Sequence, residues 1–75
     1  MLKSVFLEDL RDLLQRDDPI DPDMELRNIA EWDSLAMMSC IAYFDKNFSV
    51  KTTISQFTQL RTISDLVALS GGAIA

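Results

Sequence analysis

Helical spacing of apolar residues breaks off before two Asp-Pro pairs, Asp18-Pro19 and Asp21-Pro22, and does not resume until Asp33. A residue that precedes proline is driven out of helical geometry toward extended backbone, so no continuous helix runs through this stretch. Arg16 to Asp33 shows neither three-to-four spacing nor alternation, and its eighteen residues take up almost a quarter of a 75-residue chain. Connections of that length inside a small domain are functional or unstructured. Ile20, Met24, Leu26, Ile29 and Trp32 are spread through it, which predicts an ordered loop pinned across the ends of the helices.

Around that loop the pattern is helical. Leu2, Phe6, Leu10, Leu13 and Leu14 place an apolar stripe, widened by Leu7, on a first helix from about Leu2 to Gln15. The second helix is expected over Ser34–Asn47, with Asp33 as N-cap and Leu35, Met38, Ile41, Ala42 and Phe44 facing inward, continued by Phe48. This phase leaves Ala36, Met37, Cys40 and Tyr43 on or near the outer side. Thr53 with Gln56, and Thr62 with Asp65, each have the spacing of a capping box. The first opens a short turn to Thr58 with Ile54 and Phe57 inward. The second opens a helix to about Ser70 that buries Ile63, Leu66 and Val67 and stops at Gly71. The fold class is therefore all-α: a small four-helix bundle with a long first loop and a short third helix. Residues 1–75 read as a single domain, with 71–75 as a flexible tail.

Composition removes several functions. There is no His, hence no imidazole base, no Ser-His or Cys-His nucleophile pair and little prospect of a zinc site. A net charge of −5 argues against a nucleic-acid partner, which demands clustered Lys and Arg. Residues 1–33 hold ten acids against four bases, and residues 34–75 two acids against three bases, so the acid is concentrated ahead of Ser34. The nearly uncharged run Ser34–Phe44 has eleven residues, about half of the roughly 20 that a membrane span needs, so no membrane partner is expected. One Cys allows no internal disulfide, which suggests a reducing, cytoplasmic setting.

The acidic run Asp17, Asp18, Asp21, Asp23 and Glu25 invites comparison with a calcium loop. Started at Asp21, an EF-hand loop would need Gly where Leu26 stands and a bidentate Glu where Trp32 stands. It fails at both, and no metal site is assigned. Cys40 has no neighbouring base and reads as a packing residue. Ser34 is different. Of seven serines it alone stands where the long loop meets a long helix, directly behind an acidic cap. Free N–H groups and the positive dipole end of a helix favour a phosphate there. With no base at hand, the hydroxyl is an anchor for a phosphodiester and a poor nucleophile.

Asp33-Ser34-Leu35 after a long acidic loop, in a chain of this size and helix order, resembles the acyl carrier protein family. Thr62-Ile63-Ser64-Asp65-Leu66-Val67 is similar to that family's last helix. The resemblance implies a non-catalytic carrier, monomeric, with no catalytic residue of its own. Ser34 would be the attachment residue for 4′-phosphopantetheine, added from coenzyme A by a phosphopantetheinyl transferase. Asp33 would cap the helix and help hold the magnesium of that reaction. Leu35 would help seat partner enzymes. Those partners would be an acyl- or aminoacyl-loading ligase and downstream transferases or synthases, working on a thioester at the end of the arm. The family usually has a Gly shortly before the motif, where Ile29-Ala30-Glu31-Trp32 stands here, and acids along the second helix, where only Asp45 remains. These departures suggest a carrier dedicated to one specialised biosynthetic pathway. Docking is expected to combine steering by Asp21, Asp23, Glu25 and Glu31 with apolar contact through Met37 and Tyr43. The alternative is a cofactor-free helical interaction module, docking through Met37, Cys40 and Tyr43.

Overall fold

In the computed structural model, which describes all 75 residues, the first apolar stripe forms α1, Lys3–Leu14, and buries Phe6, Leu10 and Leu14. Leu2, expected in that stripe, is the N-cap and stays 64% exposed, because it lies outside the helical turn that faces the core. Gln15 closes α1 in left-handed geometry (φ 55°). The chain then enters the long segment, whose only regular element is a single 3₁₀ turn, Leu26–Asn28. Three helices follow: α2 over Ser34–Phe48, α3 over Ile54–Thr58 and α4 over Ile63–Leu69. The all-α, four-helix reading holds, with the short third helix where the capping boxes placed it.

The loop is ordered because its backbone is fastened to the start of α4. The Leu26 N–H donates to the Arg61 carbonyl at 2.8 Å, and the Ile63 N–H to the Met24 carbonyl at 3.0 Å. Both the N–H (2.9 Å) and the hydroxyl (3.0 Å) of Ser64 donate to the Pro22 carbonyl. Between them Glu25 and Thr62 form an isolated antiparallel bridge. With its polar groups met this way, the loop can bury Ile20, Leu26 and Ile29.

Phe44 is the hub of the core. It is fully buried and meets Phe48 at 5.3 Å, Phe57 at 5.7 Å and Phe6 at 6.2 Å between ring centroids, each edge-on. Trp32 extends the cluster by standing edge-on to Phe57 at 6.2 Å. This ties the residue two before Ser34 into the packed interior. Phe57 is buried as expected, but Ile54 is on the rim, 36% exposed.

Two further expectations are corrected. First, α2 is rotated by about one residue: Ala36, Cys40 and Phe44 are buried, while Leu35 and Met38 are 72% and 59% exposed and Ala42 is exposed. Met37 and Tyr43 pack against the core. Tyr43 also donates its hydroxyl to Asp9 Oδ2 at 2.8 Å, joining α2 to α1. Second, residues 71–75 do not trail away. Gly71, at φ 68°, ends α4 as the sequence indicated. The chain then returns so that Ile74 is buried, with the Lys3 N–H donating to the Ala75 carbonyl (2.9 Å) and the Ala75 N–H to the Met1 carbonyl (2.7 Å).

Asp65 gives one testable property of this scaffold. Its Oδ2 accepts the N–H groups of Arg61 (3.0 Å) and Thr62 (3.1 Å). These bonds hold its carboxyl below the ordinary aspartate value. A carboxyl with a lowered folded-state pKa binds protons more readily when unfolded, so stability rises with pH across that interval. Its contribution is complete above the unfolded value and is lost as pH falls through the folded one. Asp65→Asn, still an acceptor but not ionisable, should therefore lose less stability than wild type between about pH 6 and pH 2.5. Urea denaturation at the two pH values measures this, and equal losses would refute the assignment.

Candidate functional site

The end of the long loop and the start of α2 form the site. Asp33 is in extended geometry (φ −139°, ψ −174°), and its Oδ1 accepts the Ala36 N–H at 2.9 Å. The Asp33 carbonyl accepts from the Met37 N–H at 3.0 Å. Caps of this kind contribute ~0.5–2 kcal/mol. The aspartate thus fixes where α2 begins and leaves its carboxylate at the mouth of the helix. Ser34 is the first helical residue and its side chain is exposed. The N–H groups of Ser34 and Leu35 have no partner in the protein. An exposed hydroxyl, two free N–H donors and the positive end of a fifteen-residue helix suit a phosphodiester on Ser34 Oγ.

The approach to Ser34 is held in place from behind. Arg16, just past the end of α1, donates through Nη1 to Glu31 Oε1 at 2.9 Å, and its side chain is only 15% exposed. Glu31 sits below the ordinary glutamate value, through its own backbone N–H and then through Arg16. The Trp32 N–H donates to the Ile29 carbonyl at 3.0 Å. Loop, α1 and α2 therefore meet at one corner, and Ser34 projects from it.

The sequence-predicted residues divide clearly. Asp33, Ser34 and Leu35 are together and exposed at this corner. Met37 and Tyr43 are half-buried and pack against the core, so they offer a partner less apolar surface than Leu35 or Met38 does. Glu31 is tied to Arg16, and Glu25 is shared between Arg27 (3.3 Å) and Arg61 (3.7 Å). Asp17, Asp18, Asp21 and Asp23 are exposed and have no ion-pair partner. Cys40 is 1% exposed, and burial pushes its thiol up to about 12, so it is a packing residue with no nucleophilic character at neutral pH.

Met38 was missed. It stands one turn beyond Leu35 on the open face of α2, 59% exposed. Also missed was a groove of about 400 Å³ between the end of α1 and the first turns of α2. No sequence signal marks it, because it exists only where two helices diverge.

A family model described as a phosphopantetheine attachment site matches residues 4–70. No curated protein and no solved structure gives a significant match.

Proposed function

The chain belongs to the phosphopantetheine attachment site family, and we propose that Ser34 is the residue that takes the arm. The family fixes the domain as a site of covalent 4′-phosphopantetheine attachment and the protein as a carrier. The observation that carries the assignment to Ser34 is its place as the exposed first residue of α2, behind the Asp33 cap and beside unpaired N–H groups. The bound arm supplies the thiol on which a cargo is held as a thioester. The protein's own part is to fix the anchor. Asp33 sets the helix start, Arg16 and Glu31 hold the loop, and the free N–H groups stabilise the phosphodiester charge.

On this reading Asp33 also helps hold magnesium while a phosphopantetheinyl transferase acts. Acyl- or aminoacyl-loading ligases and downstream transferases or synthases then use the arm in one specialised pathway, with the carrier a cytoplasmic monomer of one domain. No helix is long and apolar enough to cross a membrane. Incubation with coenzyme A, magnesium and a broad-specificity phosphopantetheinyl transferase, followed by intact-mass measurement and fragment mapping, tests the assignment. One added arm, mapped to Ser34, is the expected result. An arm on any other residue would refute it.

Partners that reach the arm meet the open face of α2, where Leu35 and Met38 present apolar surface next to Ser34. These two replace Met37 and Tyr43 as the proposed contacts, with Asp17, Asp18, Asp21 and Asp23 steering encounter. Met38→Glu should weaken binding to the cognate loading enzyme by roughly tenfold, about 1.4 kcal/mol, at an unchanged melting temperature. Met37→Glu should instead lower the melting temperature, because it forces a charge against the core. The reverse pattern, read by titration and thermal melting, would show that the docking face is misplaced.

A further inference from the structure

The corner that carries Ser34 is crowded with acid. Asp33 stands directly before the serine, and Glu31 shares a crease with it and with Leu35, the residue on the serine's other side. Asp17 and Asp18 follow Arg16 in the chain and have no ion-pair partner. Glu31, held below the ordinary glutamate value by its own backbone N–H and then by Arg16, is ionised at neutral pH. A phosphodiester on Ser34 adds a further full negative charge to this group, and like charges gathered at one site oppose one another.

A single cation answers them. Arg27 and Arg61 are both drawn to Glu25, and Lys51 to Asp45. Arg11 lines a separate crevice with Glu8 and Asp12. Lys3 is at the far end of α1 and Lys46 at the far end of α2. Of the seven bases, that leaves Arg16. It is not a mobile surface charge: its side chain is only 15% exposed, and Nη1 donates to Glu31 Oε1 at 2.9 Å. Its buried Nε makes no hydrogen bond, so Glu31 takes up only part of what the guanidinium offers. Glu31 is three residues from Ser34, so their Cα atoms are at most about 11 Å apart. That is close to the Debye length of about 10 Å at 0.1 M salt and far inside the value of about 30 Å at 0.01 M. Arg16 can therefore act at Ser34 through its field, without touching it.

We propose that Arg16 is the charge-balancing residue of the anchor: held by Glu31, it offsets the acid around Ser34 and makes room for the charge of the phosphodiester. This rests on Ser34 as the attachment residue. It gives the pair a function beyond fastening the loop, and it makes the two partners act with opposite signs. Arg16 favours the arm-bearing state, and Glu31 opposes it.

The test compares the melting temperatures of arm-free and arm-bearing protein for wild type, Arg16→Gln, Arg16→Lys and Glu31→Gln, with the arm counted by intact mass. Whatever the pair contributes as a fastener is present with and without the arm and cancels in that difference. In about 0.01 M salt, arm addition should lower the melting temperature of Arg16→Gln by roughly 2–4 °C more than that of wild type, the size of one exposed ion-pair interaction. Arg16→Lys keeps the charge and should stay close to wild type. Glu31→Gln leaves the cation unopposed and should shift by a similar amount the other way. All these differences should fade in about 1 M salt, where the Debye length is about 3 Å. Equal arm-dependent shifts in wild type and Arg16→Gln, shifts that persist at high salt, Arg16→Lys behaving as Arg16→Gln does, or Arg16→Gln and Glu31→Gln moving together would each overturn the proposal. Should Arg16→Gln fail to fold, the sign of the Glu31→Gln shift decides. No mass gain in wild type would overturn the attachment reading and this one with it. Mass gain with equal shifts would overturn the role of Arg16 alone.

Discussion

Ser34→Ala is expected to leave the domain folded with its melting temperature unchanged within error, and to abolish arm addition completely. The first part follows from exposure: the Ser34 side chain is exposed and makes no hydrogen bond, and substitutions of that kind stay within about 0.5 kcal/mol. The second follows from the state of the other serines. Ser70 is buried and donates to the Val67 carbonyl. Ser64 is spent on Pro22. Ser4, Ser39, Ser49 and Ser55 are exposed, but none has an acidic cap before it at the mouth of a long helix. Intact mass after transferase treatment decides the matter. Any mass gain in the variant would move the anchor elsewhere, with the exposed Ser39 as the first place to look.

Phe44→Ala should come close to unfolding the protein. Removing a buried phenylalanine costs ~3–5 kcal/mol. A chain of 75 residues has roughly 4–11 kcal/mol in total at typical per-residue stability. The lost ring is the one that touches Phe6, Phe48 and Phe57 at once, so three neighbours lose contact together and α3 loses its seat. Met38→Ala, on the open face of the same helix, should change stability by no more than about 0.5 kcal/mol. Chemical denaturation of the pair measures the rotational phase of α2 directly. Comparable losses would mean that the helix is turned differently.

That phase is where the sequence was ambiguous, and the reason is local. Leu35-Ala36-Met37-Met38 is four apolar residues in a row, so two inward stripes one residue apart fit the same helix. The choice between them is made by neighbours distant in the chain: Phe6 and Asp9 receiving Tyr43, and Phe57 receiving Phe44. The C-terminal residues were misread for a related cause, since Ile74 is buried only because Ala75 pairs with Met1 and Lys3 at the opposite end. What was legible rested on bonds within a few residues. Asp33 with Ala36, Thr53 with Gln56 and Thr62 with Asp65 are all capping contacts that a spacing of three makes visible. The corner at Ser34 belongs to that class. The groove beside it does not.

The fastening of the long loop to Arg61–Ser64 also sets an order of events during synthesis. The segment that leads into Ser34 is held by residues translated about 35–42 positions later. At 5–20 residues per second that is a delay of roughly 2–8 s. Throughout it the Asp33 cap and the Arg16–Glu31 pair can form, because their partners are already made, but the Pro22–Leu26 part of the loop lacks its partners. Nascent chain that has emerged only through α3 thus offers Ser34 behind a loop that is only half fastened. The last helix is in effect the latch on the loop that leads to Ser34.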